Sequence, residues 1–233
     1  MKKENWLRSI VAASLGALTL GAVAGQDAIS LARKPKPGDV AEFAITAEFD
    51  TMKINYTTLN KVTTVQADGS YSVEASSKDM VVDLGGQTIN PPDSSDVLQY
   101  SPTGMVVSIV ADTTPPPAAY KILHLQSFQS PMSPVKIGDE IKYTIPADPK
   151  LETPTVSADY KVDGLEKIKD WDTVRLVYTS TETDGDLKES MSGTVWVSTI
   201  DGMLVKSQGK WNNVQPPGVP TPLTGTYIMI RTK

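Results

Sequence analysis

From Val40 onward apolar and polar positions alternate: Ala41, Phe43, Ile45, Ala47 and Phe49 fall on one side, with Glu42, Thr46 and Glu48 on the other. A period of two is the signature of a strand with one wet face. The same rhythm predicts strands within 53–65 and over 71–77, where Tyr71, Val73 and Ala75 oppose Ser72, Glu74 and Ser76. Shorter strands are expected at 80–84 and 105–111, separated by the Pro91-Pro92 loop. Further along, strands are expected over 140–145, 156–162, 173–181, 188–198, 203–212 and 223–232. Asp68-Gly69, Asp163-Gly164, Asp184-Gly185 and Asp201-Gly202 stand between these runs, as tight antiparallel hairpins require. The expected class is therefore all-β and mainly antiparallel.

Two stretches share an outline. Lys36-Pro37-Gly38-Asp39 leads into Ala41, Phe43 and Ile45, and Lys136-Ile137-Gly138-Asp139 leads into Ile141, Tyr143 and Ile145. Each closes on a Gly-Met pair, Gly104-Met105 and Gly202-Met203. The expectation is two pseudo-repeated curled β-meanders forming a half-barrel or a sandwich-like body. Between them Thr113 to Pro117 brakes the β rhythm, and Ala119, Ile122 and Leu123 then recur at helical spacing before Pro131 and Pro134. That segment reads as a short helix or as a connecting loop. The expected organisation is a signal over 1–24, an extended lead-in over 25–37, a first β repeat over 38–112, a Pro-rich or helical connector over 113–134 and a second β repeat over 135–233.

Composition narrows the chemistry. The chain of 233 residues has no cysteine, which removes disulfides, thiolate metal sites and a cysteine nucleophile. Lys2, Lys3 and Arg8 precede an apolar run from Ile10 to Leu20 and the small residues Ala22-Val23-Ala24, the layout of a cleaved secretory signal. No transmembrane segment is expected after its removal, and the product is expected to be exported, soluble, and periplasmic or extracellular. Formal net charge is -5; losing three of those cations with Glu4 makes the remainder more acidic. Lys and Arg form no stripe, which argues against nucleic acid as a partner.

Candidate chemistry is sparse. His124 is the single histidine, flanked by Leu123 and Leu125, and reads as structural. No phosphate-binding loop or nucleophile elbow is present, and the Ser133/Lys136 and Ser207/Lys210 pairs lie in unsuitable contexts. Asp184, Asp186 and Glu189 read as a solvated hairpin tip lacking the alternating ligands of a calcium loop. No metal and no cofactor is expected. Alternation sets Trp196 with Ser192, Thr194 and Ser198 on the wetter face, where a tryptophan is a contact candidate. With Ile122 and Leu123 of the connector, Trp196 makes up the expected ligand-binding set.

The Gly-Asp strand opening, the Asp-Gly hairpin, Ser133-Pro134-Val135-Lys136-Ile137-Gly138-Asp139-Glu140 and Gly193-Thr194-Val195-Trp196-Val197 together resemble a family of exported bacterial β proteins of unknown function. Many of that family are lipoproteins carrying a Val-Gly-Asp-x-Trp motif. This chain has Ile137-Gly138-Asp139-Glu140-Ile141 there and Gly25-Gln26 where a lipid-bearing cysteine would stand. The layout is more distantly similar to periplasmic lipoprotein carriers, which hold acyl chains in a half barrel. The two-copy β design and the apolar middle segment lead to the expectation of a non-enzymatic exported protein binding an apolar small molecule, a lipid or an envelope protein segment on a concave sheet face. The alternatives are a structural or adhesion-type module and, third, an enzyme.

Overall fold

The structure, a computed structural model, describes residues 28–233. The expected signal over 1–24 lies outside them. Twelve strands and one helix follow in order: β1 (Val40–Phe49), β2 (Met52–Val65), β3 (Tyr71–Asp83), β4 (Thr88–Ile89), β5 (Ser94–Tyr100), β6 (Val106–Val110), α1 (Pro117–Gln126), β7 (Glu140–Ile145), β8 (Val156–Ile168), β9 (Trp171–Glu182), β10 (Ser190–Ser198), β11 (Leu204–Val214) and β12 (Leu223–Arg231). They form one antiparallel sheet in the order β6-β5-β3-β2-β1-β12-β11-β10-β9-β8-β7, with β4 paired to β3. The first and last strands of that order do not pair with each other, so the sheet is open and is not a closed barrel. The all-β antiparallel expectation holds, and the seam between the halves is a continuous strand pairing, β1 to β12.

The openings at Gly38 and Gly138 are built alike. Both glycines adopt left-handed backbone, φ 92° and 94°, a region that favours residues without a Cβ. Lys36 N–H donates to Asp39 Oδ2 and Lys136 N–H to Asp139 Oδ2, each at 2.8 Å. Gly38 N–H donates to Val62 O and Gly138 N–H to Val162 O, again both at 2.8 Å. Register agrees as well: Val40 faces Lys61, Glu140 faces Lys161, and each following hairpin has a bulge directly after Val62 or Val162.

Several expected boundaries shift. Asp163-Gly164 is no turn: β8 runs through it, and Gly164 sits at the bulge opposite Arg175. Asp-Gly suits a bulge as well as a hairpin, and the actual reversal falls at Lys169-Asp170, where Lys169 takes φ 51°. At Asp68-Gly69 only the glycine has positive φ, so the turn is not type I′; Asp68 Oδ1 instead accepts from Ser70 N–H at 2.9 Å. The expected strand at 80–84 is the end of β3, carried past a register shift between Asn55 and Thr57 of its partner. Strand β5 had no counterpart among the expected elements.

The core lies on one face of the second half. Val156, Ala158, Tyr160, Val162, Val174, Leu176, Tyr178, Met191, Val195 and Val197 are buried there beneath Leu125 and Phe128. Burial of the valine, leucine and methionine side chains among them is worth about 1.5–3 kcal/mol each. The described part of the lead-in packs against the body. Leu31 is fully buried, Ile29 bridges Val135, and Arg33 donates to Phe128 O at 2.8 Å and Tyr71 Oη at 3.0 Å.

Helix α1 starts on Pro117, whose missing N–H costs nothing in the first turn. Its second role is to cover the edge strand β6. Tyr120 Oη accepts from Ile109 N–H at 3.2 Å, and His124 Nε2 meets Val106 O at 3.3 Å. These side chains occupy backbone groups that an edge would otherwise offer to another chain. At the opposite edge β7 is short and carries the exposed Glu140–Lys142 ion pair at 3.1 Å, a second deterrent to edge pairing.

Candidate functional site

Four neighbouring strands, β1, β12, β11 and β10, build an open groove of about 660 Å³. Its floor is two cross-strand rows. Thr46, Ile228, Gln208 and Thr194 stand side by side in register, and so do Glu48, Thr226, Lys210 and Ser192. The row between them, Ala47, Tyr227, Gly209 and Gly193, points the other way by strand alternation. With strands about 4.8 Å apart, each row is about 14 Å long.

Gly193 and Gly209 face each other across β10 and β11. A Cβ on Gly193 would overlap the Gln208 carbonyl oxygen, and one on Gly209 the Ser192 carbonyl oxygen. The two backbones thus approach more closely than any other residue allows. Beneath the glycines, Tyr178 and Tyr227 reach toward each other until their hydroxyls hydrogen-bond, and Ser207 Oγ joins Tyr227 Oη at 2.7 Å. The groove floor is thereby fixed from below by a buried polar contact.

Thr46, Ser192, Thr194, Gln208 and Thr226 give the lining hydroxyl and amide groups, set among apolar surface that includes the exposed Ile228. Lys210 is the groove's cation, and its carboxylate, Glu48, is held by Lys53 at 2.5 Å. Thr46 Oγ1 donates to Asn55 Oδ1 at 2.8 Å, which sets its rotamer. Donors and acceptors therefore face solvent in a balanced set with no concentration of one charge.

The residues expected to bind a ligand are not brought together. Trp196 is on the face the alternation assigned, but only 5% of it is exposed. Lys206 lies over its ring at 4.4 Å, and its Nε1–H donates to Glu166 Oε2 at 2.9 Å. Glu166 and Asp163 in turn pair with Arg175 at 3.3 and 2.6 Å. Trp196 is thus covered by charged neighbours. Ile122 packs on the core at the opposite face of the sheet, and Leu123 is half-buried with its carbonyl accepting from Ser127 Oγ at 2.7 Å. The interval between helix and sheet is filled by Leu125 and Phe128. His124 is buried, as a structural histidine should be, and burial pushes its imidazole below the ordinary range.

A second feature lies at the end of β9. Glu189 is not part of a solvated tip. Lys188 takes φ 52° and turns Glu189 inward beside Glu182, and the two are 0% and 1% exposed. Their backbones pair, Glu182 N–H to Glu189 O at 2.9 Å, and Glu189 N–H donates to Glu182 Oε2 at 3.3 Å. By strict hydrogen-bond geometry Glu182 Oε1 and the Glu189 carboxylate go unpaired, although the Gln215 backbone N–H is directed at the Glu189 carboxylate. Burial pushes both carboxyls up, opposed by the charge of Lys121 on α1. Asp184 does sit at the exposed tip, accepting from Thr155 N–H at 2.6 Å and Oγ1–H at 2.9 Å.

No protein-family model matches the chain, and no curated protein matches it. Among solved structures, a chain from Parabacteroides distasonis, provisionally described as a lipoprotein, aligns over 89% of this chain and 99% of its own length. Identity is 13% and the TM-score 0.34, values at which the likeness carries no argument about fold or function. Among the described residues no helix is long and apolar enough to cross a membrane, which leaves strands unaddressed.

Proposed function

We propose that the chain is an exported, non-enzymatic binding protein whose ligand is a neutral, hydroxyl-rich molecule, an oligosaccharide in chemical class, seated across β1, β12, β11 and β10. The observation that carries this reading is the convergence of Thr46, Ser192, Thr194, Gln208 and Thr226 on one open groove. All four strands are paired on both sides, so no free backbone edge is offered for adding a peptide strand. Recognition there must use side chains, and hydroxyls and amides that both donate and accept suit a ligand of the same kind. The closeness of Gly193 to Gly209 supports a preformed floor, which lowers the ordering cost of binding.

An apolar ligand, the first expectation, would need an open cleft under α1, and Leu125 and Phe128 occupy that place. The test is calorimetric titration of the full chain with soluble glucan and chitin oligosaccharides, alongside Thr194→Trp, which fills the groove from its polar side. Binding weakened at least tenfold by the substitution, about 1.4 kcal/mol, is the expected result. Binding of no oligosaccharide, or co-purification of a stoichiometric lipid, would overturn the reading.

A further inference from the structure

We propose that the ligand is a single, uncharged, linear polysaccharide chain longer than the groove, laid across the strands on a track that continues past both of its walls. This rests on the reading of the groove as a saccharide site. The row that holds Thr194, Gln208, Ile228 and Thr46 does not stop where the groove does. Register continues it to Val177 on β9 beside Thr194, and to Asn55 on β2 and Val81 on β3 beyond Thr46. In strand order the track runs aliphatic, threonine, amide, aliphatic, threonine, amide, aliphatic. With strands about 4.8 Å apart it is about 29 Å long, roughly twice the length of the groove row. Its three aliphatic members are the exposed ones, Val177 at 47%, Ile228 at 38% and Val81 at 38%, while the threonines and amides between them are half-buried.

That order matches the chemistry of a sugar chain. A pyranose ring offers a face of C–H groups and a rim of hydroxyls, and an aliphatic side chain followed by a hydroxyl and an amide answers both. Thr46 Oγ1 donates to Asn55 Oδ1 at 2.8 Å, which leaves the threonine oxygen to accept from a ligand and the Asn55 amide nitrogen to donate to it. Each residue of a β-linked chain advances it by close to one strand spacing, so like contacts recur with every third sugar. Charge selects a neutral chain. The track has no charged member between Val177 and Val81, and charges in the rows beside it are engaged with their neighbours: Arg175 with Asp163 and Glu166, Lys206 over Trp196, Lys53 with Glu48. A polyanion therefore gains little by following it. Twist selects a single chain over a crystalline surface. Neighbouring strands turn by about 20–25°, so the track winds as it crosses the sheet and a flat face cannot touch it along its length.

The experiment is calorimetric titration of the full chain with chitin and β-glucan oligosaccharides of three and six residues, with carboxymethyl glucan and suspended microcrystalline cellulose as comparisons. The hexasaccharide should bind at least tenfold more tightly than the trisaccharide, which spans the groove alone. Val177→Asp and Val81→Asp, at exposed positions outside the groove, should each cut that ratio several-fold. Val107→Asp, at a comparably exposed valine on β6, should preserve it. Equal affinity for the two lengths, a ratio that survives both the Val177 and the Val81 substitution, or preference for the carboxymethylated or the crystalline polymer would overturn this inference and leave the groove reading standing. Binding of neither length would overturn both.

Discussion

Tyr160 stands at the centre of an aromatic series on the inner face. Its ring lies 5.2 Å from Tyr178, 5.7 Å from Tyr143 and 5.2 Å from Phe128. The hydroxyls find acceptors without water: Tyr160 Oη donates to Ser127 O at 3.0 Å, and Tyr143 Oη to the same carbonyl. Burial keeps these phenols protonated. It raises Tyr160 and Tyr178 well above the ordinary value, raises Tyr56, Tyr100 and Tyr227 as well, and pushes Tyr143 up to about 12. A folded value above the unfolded one means that the stabilisation is fully present below about pH 10 and is lost as pH rises through the folded values. An alkaline absorbance titration should therefore show most of the tyrosine ionisation appearing only as the chain unfolds. Ionisation of most tyrosines near pH 10 with the far-ultraviolet dichroism unchanged would contradict this packing. At this scale the sequence was legible for part of the core, since alternation sorted Tyr71 and Val73 to the buried face, but it did not show that Trp196 on the other face is buried too. It did not disclose what covers Trp196, because Arg175 and Lys206 meet it only through the register of β9 and β11.

Helix α1 is one of the two readings the spacing left open, a short helix or a connecting loop, and its buried side extends beyond the residues that gave the spacing. Ala119, Ile122 and Leu123 gave the helical spacing, yet the side that is buried carries Tyr120, His124 and Leu125. The difference arises because the helix serves two surfaces, the core and the edge of β6, and the edge needs polar side chains. His124 is the titrating part of that contact. Desolvation depresses it, and the Val106 carbonyl and the distant charge of Asp148 only partly oppose this. A depressed folded value means that the stabilisation is present above the unfolded pKa of about 6.5 and is lost as pH falls through the folded value. Urea unfolding at pH 7 and pH 5 should show a loss of stability that is smaller in His124→Gln than in the unsubstituted chain. An equal loss in both would show that the ring is not desolvated in this way. Strand β5 was missed for a related reason: its polar start, Ser94-Ser95-Asp96, faces a half of the sheet where both sides are only partly covered, so alternation is weak. The Asp-Gly pairs were equally ambiguous, because a bulge and a hairpin ask for the same dipeptide.

The whole molecule is one open sheet in which the last strand joins the first strand, placing residues nearly two hundred positions apart side by side. That pairing creates the groove, and it is why no local pattern revealed it. Thr46 and Glu48 come from one end of the chain, Thr226 and Ile228 from the other, and Ser192, Thr194, Gln208 and Lys210 from between. Each looked like the wet side of an ordinary strand. The Gly-Asp openings were legible as a matched pair, and their hydrogen bonds agree to within 0.1 Å, but matched turns do not say which strands will meet at the centre. That centre is the proposed binding surface. Amide chemical shifts recorded during titration with an oligosaccharide that binds test it most directly. The largest changes should fall on Thr46, Thr194, Gln208 and Thr226, with Ile122, Leu123 and Trp196 still; changes centred on α1 or on Trp196 would contradict it.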